Sequence, residues 1–274
     1  HPGRDEKTLT AWNGLMLAAF VEAARVLARD DYGQIARQNG AFLLSELRRP
    51  DGRLLRTWRD GTAKGNAYLQ DYAHLIEGLI ELYQTTFEPR WYTTARELAD
   101  DMMAHFGASD VAGFYDTSDD HETLLTRPRE LQDNAVPSGN GMAALVLQRL
   151  AGLAAEPHDI ELARESLKAM QTLLGRHPLG FAQWLTALDY ALAQPREIAI
   201  IGSTDNADAA DLLAACRDGY QPHQIVALGH SDEVPLLAGR DQIEGQATAY
   251  VCVDFTCRAP VTDPQALKNE QSLG

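Results

Sequence analysis

The 274 residues, 45% of them hydrophobic, are enough for a sizeable core and for one main domain with a smaller companion. With 24 Lys and Arg against 39 Asp and Glu, the formal charge of −15 repels phosphate backbones and anionic bilayers, which argues against nucleic acid or a membrane as partner. No apolar run approaches the roughly 20 residues that span a bilayer, and no signal-peptide core follows His1-Pro2-Gly3-Arg4-Asp5, so the expected location is cytoplasmic.

The opening His-Pro-Gly, without an initiator Met, suggests a fragment, a processed product or a trimmed chain. From Trp12 to Ala28 apolar residues occupy nearly every side of a helix. Next comes a single apolar stripe, Tyr32, Ile35, Ala36, Leu43 and Leu47, interrupted by Asn39 and Gly40. A glycine turn opens the β-prone run Asp51 to Thr57. Leu69 to Tyr83 is again apolar all round, and Trp91, Tyr92, Ala95, Leu98, Ala99, Met102, Met103 and Phe106 form the clearest one-faced stripe. A second β-prone run, Gly113 to Thr117, precedes the all-round apolar segment Asn140 to Leu153. The stripe Ile160, Ala163, Leu167, Met170 and Leu174 completes the third pair.

This alternation predicts enclosed inner helices near 11–29, 68–86 and 138–153, and half-wet outer helices near 31–48, 89–107 and 158–175. Two concentric layers of helical hairpins, an (α/α) toroid over residues 1–195, would write such a pattern. The connections repeat as well: Leu69-Gln70-Asp71-Tyr72-Ala73 returns as Leu131-Gln132-Asp133-Asn134-Ala135, each read as standing just ahead of an inner helix. After Pro195 the character changes to strands at Glu197–Gly202, Gln224–Gly229 and Ala247–Phe255 with a helix at Ala207–Arg217, a small α/β appendage over 196–274 that ends in a frayed tail. Cys216, Cys252 and Cys257 are too few and too unevenly placed for a disulfide framework, which fits a reducing compartment.

Loops that enter inner helices line the funnel of a toroid, and long loops in a compact domain are usually functional. Asp71 and Asp133, at equivalent places in the repeat, are the leading candidates for general acid and base work, with helix capping as the competing reading. Ser138 and Asn140 open the third inner helix and suit an oxyanion or sugar hydroxyls, unless Ser138 is an ordinary cap. Trp12 and Asn13 form an aromatic and amide pair of the kind that stacks on sugars, against the plain alternative of a buried Trp and a satisfied Asn. Tyr72, Asn134, His74 and His121 are further ligand-facing candidates, His74 one turn inside its helix and His121 within the acidic run Asp119-Asp120-His121-Glu122. No second histidine stands at a metal-pair spacing from His121. Gly202-Ser203-Thr204-Asp205 sits between strand and helix as phosphate loops do, yet lacks GxGxxG and the Walker lysine. Cys252 and Cys257 form C-x4-C without further spaced ligands, so neither a metal nor a cofactor is expected.

Taken together, the segment Leu9 to Met16, the stretch GTAKGNAYLQDYA ending at Ala73, FYDTSDDHE from Phe114, NAVPSGN ending at Asn140 and TAYVCVDFTC ending at Cys257 resemble the YyaL-type thioredoxin-domain proteins, the family that includes the spermatogenesis-associated thioredoxin-like protein. The resemblance covers essentially the whole chain. It implies an N-terminal thioredoxin-like domain, absent here, followed by a six-hairpin toroid similar to N-acylglucosamine 2-epimerases and some glycosidases. Epimerases of that architecture use funnel histidines, and here only His74 and His121 are available.

Two functions from different classes follow. One is a carbohydrate-active enzyme, an epimerase, isomerase or hydrolase acting on a sugar-like small molecule. The other is a non-catalytic scaffold whose funnel presents a ligand or peptide to the thioredoxin-like portion. Because three hairpins and a partial fourth make about half of a six-hairpin ring, inner-helix surface should be left open, and a homo-oligomer or a covering N-terminal portion is expected.

Overall fold

The computed structural model describes residues 3, 5–108, 112–122, 125–154 and 157–271. Its body is built from α1 (Thr10–Val26), α2 (Asp30–Glu46), α3 (Leu69–Thr86), α4 (Pro89–Phe106), α5 (Gly139–Ala154), α6 (His158–Arg176) and α7 (Ala182–Leu192). The hairpins α1/α2, α3/α4 and α5/α6 stand side by side, with α1, α3, α5 and α7 touching in succession as the inner layer. This is an (α/α) hairpin toroid, present as a partial ring. The expected helix positions agree with these bounds to within a few residues.

Local chemistry sets the breaks between helices. Phe87 closes α3 in the left-handed region at φ 55°, and Pro89, whose fixed φ and missing N–H suit a first turn, begins α4. In α5 every residue after Gly139 is buried, whereas α4 buries one stripe, as inner and outer places require. α1 is buried on one side only. Trp12 is 60%, Met16 55% and Val26 74% exposed, on the side of α1 away from α2 and α3 among the described residues.

The tightest packing lies between α1 and α3. A Cβ on Gly14 would fall 2.6 Å from the carbonyl carbon and oxygen of His74, and one on Gly78 would fall 2.8 Å from the carbonyl oxygen of Gly14. The two backbones therefore touch with nothing between them. Toward the other end of the same helices, Arg25 of α1 donates to Glu81 of α3, and Arg149 of α5 donates to both Glu77 and Glu81. These buried ions are mutually paired, as their removal from water demands.

β1 (Thr8–Leu9), β2 (Leu55–Arg59) and β3 (Thr62–Asn66) form an antiparallel sheet in that order, the excursion anticipated after Asp51. The run Gly113–Thr117 differs from expectation: only Phe114 makes an isolated bridge, to Gly107. Its polar backbone groups go elsewhere, Phe114 N–H to Asn140 Oδ1 at 2.9 Å and Asp116 N–H to the Pro128 carbonyl at 2.9 Å.

Beyond the helices, β4 (Arg196–Ile201), β5 (Gln224–Gly229), β6 (Thr248–Val253) and β7 (Thr256–Cys257) form a sheet of order β5-β4-β6-β7. β4 and β5 are parallel, joined across α8 (Ala207–Cys216), and the other pairs are antiparallel. This sheet shares its core with the helices. Gly152 of α5 lies so close to β5 that an added Cβ would meet Ile225 at 2.9 Å, and the Gln84 side chain accepts the Val226 amide at 2.9 Å.

Two expectations are corrected here. The tail is not frayed over its length: Pro264–Gln271 forms α9, which buries Leu267 completely, and the rest of the tail, 272–274, lies outside the described residues. Cys252 and Cys257, read together with Cys216 as too few and too unevenly placed for a disulfide framework, are disulfide-bonded, because antiparallel β6 and β7 set them directly opposite. No helix among the described residues is long and apolar enough to cross a membrane.

The α1–α3 contact yields a direct test. Gly14→Ala should lower stability by at least about 2 kcal/mol in urea unfolding, because the methyl would have to displace backbone. Gly175→Ala, where a Cβ meets nothing within 4 Å, should be neutral or stabilising by up to about 1 kcal/mol.

Candidate functional site

At the amino ends of α3 and α5 the loops enclose a cleft of about 540 Å³. Trp12 of α1, Tyr68 and Gln70 at the start of α3, the segment 116–122 and the segment 128–139 contribute to its walls. The two loop segments are braced. Arg127 donates to the Thr117 carbonyl and Arg129 to the Phe114 carbonyl at 3.2 Å, so two of the chain's few cations hold backbone rather than face solvent.

Tyr68 is the aromatic centre of the cleft. The Arg56 guanidinium lies 4.3 Å from its ring centroid, and the His121 ring stacks on it at 5.8 Å and 29°. Asp116 is locked in place: its amide and carbonyl bond to Pro128 and Leu69, and its Oδ2 accepts the Glu130 amide at 2.7 Å. Burial pushes the Asp116 carboxyl above the ordinary carboxylate range, and the nearby Glu130 charge adds to this against the pull of the Glu130 amide. Glu122 and Glu130 bring further carboxylates to the same walls.

Of the residues picked out in the sequence, Trp12, His121, Asn134 and Ser138 line the cleft. Ser138 also serves as a cap, its Oγ accepting the Gly141 amide at 3.3 Å. Trp12 is not the buried tryptophan of the plain alternative but stands open to solvent.

The others are placed elsewhere. Asp71 Oδ1 accepts the Ala11 amide at 2.9 Å, and its Oδ2 accepts the Tyr68 amide at 2.9 Å and an Arg56 N–H at 3.3 Å. Asp133 accepts the Ser138 and Gln183 amides, both at 2.8 Å. Neither carboxylate lines the cleft, and the capping role describes both. Ala11 and Gln183 are the second residues of α1 and α7, so each aspartate caps a neighbouring inner helix. The motifs are not equivalent in register: Asp71 lies in the first turn of α3, whereas Asp133 lies in the loop before α5. Burial lifts the Asp71 carboxyl to about 6 despite the donors around it.

Tyr72 is buried, with its hydroxyl accepting the Leu54 amide at 3.0 Å. Asn140 is buried with its Oδ1 on the Phe114 amide, and Asn13 spans Leu9 and Asn39. His74 does not face the funnel. It is fully buried beneath the cleft floor beside Pro137, and neither ring nitrogen has a hydrogen bond of ordinary geometry.

Asp116, Tyr68, Glu130, Gln70 and Gln132 also line the cleft and were not proposed as ligand-facing from the sequence, and Glu122, which lines it too, appeared there only as part of the acidic run around His121. Tyr68 immediately precedes the first LQD motif, and Gln70 and Gln132 lie within the two motifs, one signal that could have found them. Asp116 and Glu130 lie far apart in sequence and meet only through the loop backbone bonds.

The fold is an (α/α) toroid, an architecture that it shares with solved sugar epimerases. Cellobiose 2-epimerase from Spirochaeta thermophila superposes with a TM-score of 0.51 at 17% identity, covering 61% of this chain and 43% of that one. A sugar epimerase from a ruminal bacterium gives 0.50 at 15% identity, covering 61% and 44%. No family model matches the chain. In sequence it is 29% identical over 284 residues to human spermatogenesis-associated protein 20, and 29% identical over 281 residues to the rat protein of that name. These alignments span 97% and 96% of this chain but 36% of each relative.

His74 carries a pH prediction. Burial pushes its pKa down to about 4, with a small opposing pull from the Pro137 backbone, whereas an unfolded histidine titrates near about 6.5. The unfolded chain therefore binds the extra proton between those values. The associated stability is full above pH ~6.5 and is lost as pH falls toward 4, a difference of about 3 kcal/mol. Because Asp71 titrates in the same range in both proteins, the slope should appear in the difference between the urea-unfolding stabilities of wild type and His74→Leu from pH 7 to 4.

Proposed function

We propose that the cleft binds a sugar and that its carboxylates carry out proton transfer on it. One observation carries this reading: the exposed Trp12 indole lines one cleft with the Tyr68 ring, three carboxylates and several amides. Sugars present apolar C–H faces that stack on aromatic rings, and hydroxyls that pair with carboxylates and amides. The sugar epimerases of like fold, at low identity, lend support to the architecture for such a ligand.

Asp116 and Glu130 are the proposed acid and base pair. Burial, with the Glu130 charge adding to it, favours retention of a proton on Asp116, so that this carboxyl can donate while Glu130 accepts. His121, stacked on Tyr68, is placed to relay or accept a proton in an isomerisation or epimerisation. Gln70, Gln132, Asn134 and Ser138 would orient the hydroxyls.

The scaffold reading has its own support. Both repeated aspartates are spent on capping helices, which leaves the most regular carboxylates of the sequence without a chemical task. In that case the cleft presents a ligand to a thioredoxin-like portion of a longer protein. In either case the open stripe of α1 is the edge on which further hairpins of a closed ring, or a second copy, would pack.

Calorimetric titration with a panel of mono- and disaccharides tests the proposal. At least one sugar should saturate, and Trp12→Ala should weaken it about tenfold, the loss of roughly 1.4 kcal/mol of stacking. Asp116→Asn should keep that affinity while abolishing any epimerised or hydrolysed product seen by NMR. A panel in which no sugar binds would remove the carbohydrate reading altogether, and binding without turnover would leave the scaffold.

A further inference from the structure

In the appendage β7 is the edge strand, and its Cys257 stands opposite Cys252 of β6. We propose that the Cys252–Cys257 disulfide and Arg240 form a thiol–disulfide exchange site for a small external thiol. None of the three residues lines the cleft, so the site is separate from it.

The bond does little for the fold. Only residues 253–256 separate the two cysteines, and β6 and β7 are already joined by backbone pairing in that register. A crosslink stabilises chiefly by restricting the unfolded chain, and the restriction is least for a short loop. Asp254 and Phe255 make the turn in the left-handed region, at φ 47° and 61°. The Phe255 amide donates to Glu197 Oε2 of β4 at 3.1 Å. Backbone pairing and β4 therefore hold the hairpin, and the two sulfurs stay together when the bond between them is open.

Arg240 supplies what a purely structural disulfide does not need. Its Nη1 donates to the Leu236 and Ala238 carbonyls at 2.6 and 3.2 Å, which fixes the guanidinium. Its Nη2 is aimed at Cys257 Sγ at 3.1 Å and at Cys252 Sγ at 3.7 Å. No carboxylate is ion-paired with Arg240 among the described residues. Glu197 stands across from Cys252 in register, and burial, with the Asp254 charge adding to it, raises its carboxyl to about 7 against the pulls of the Phe255 amide and Arg240. That carboxyl therefore offsets the guanidinium charge only in part. A disulfide sulfur is a weak acceptor for such a donor and a thiolate a strong one, so Arg240 favours the opened pair.

Cys252 is completely buried and Cys257 half-buried, so an outside thiolate attacks the sulfur of Cys257. Partial burial admits a slender alkyl thiol more readily than one set in a folded surface. The new S–S bond forms as the Cys257–Cys252 bond breaks, and Cys252 leaves as a thiolate that accepts the Arg240 N–H. A second external thiolate attacks the outside sulfur of the mixed disulfide, and Cys257 leaves as a thiolate beside Arg240. The two external thiols depart as their disulfide, oxidised by two electrons that the protein gains, and their two protons end on the cysteines. Cys216 takes no part: it is buried, and burial pushes its thiol up to about 12 against the pull of Arg217.

The 274-residue chain can be equilibrated with mixtures of reduced and oxidised glutathione at neutral pH, quenched with acid, alkylated and read by mass spectrometry. The pair should pass reversibly between disulfide and dithiol in the folded chain, with Cys216 unmodified. Cys252→Ser should hold one glutathione on Cys257, whereas Cys257→Ser should hold none on buried Cys252. Arg240→Met should slow reduction by glutathione about tenfold, the loss of one favourable charge at the leaving thiolate, and Arg240→Lys should keep most of the rate. The reduced chain should retain the circular-dichroism spectrum of the oxidised one. The proposal is overturned if the pair resists glutathione until urea unfolds the chain, or if reduction itself unfolds it. It is equally overturned if Arg240→Met reacts as fast as wild type or faster, or if Cys252 of Cys257→Ser takes glutathione as readily as Cys257 of Cys252→Ser.

Discussion

The bare backbone contact between α1 and α3 is the constraint on which the rest depends. Gly14 and Gly78 let the helices approach until main chain meets main chain, and no side chain can substitute for that lack of volume. At one end of the contact Asp71 ties the Ala11 amide to the turn that starts α3, and toward the other Arg25 meets Glu81. The inner layer is thus set at three heights. Trp12 and Tyr68, carried by these two helices, reach the same cleft because the helices are fixed in this way.

The repeated aspartates show how a toroid separates structure from chemistry. Each carboxylate lies beside orphan amides at the start of a neighbouring inner helix, where an anion is favoured by the unpaired N–H groups and by the helix dipole. Capping of this kind joins adjacent hairpins at the funnel end. The groups that face the cleft come instead from the connecting loops, held by Arg127 and Arg129 through carbonyl oxygens. Such loops can vary without disturbing the ring, which is a physical reason for one architecture to serve different ligands.

The α/β appendage rests on the ring through main-chain and small-residue contacts, Gln84 with Val226 and Gly152 with Ile225. A cavity where they meet is walled partly by the ring, by Tyr83, Phe87 and Pro89, and partly by the strand ends of the appendage.

The sequence by itself determined the six helices of the three hairpins, their order and their two characters, because burial on one side or all round is written in the spacing of apolar residues. The glycine-opened turns marked breaks for a comparably local reason. It also brought Trp12, His121, Asn134 and Ser138 to notice, since aromatic, imidazole and amide groups near helix entries are visible in the chain order. Tertiary structure alone decided that Asp71 and Asp133 are caps, because their amide partners lie 60 and 50 residues away in Ala11 and Gln183. It decided that His74 is buried, since helical spacing does not show which neighbour covers a residue. It joined Cys252 to Cys257 and placed Asp116 beside Glu130, because strand register and loop closure are set by backbone pairing that residue type and spacing do not show.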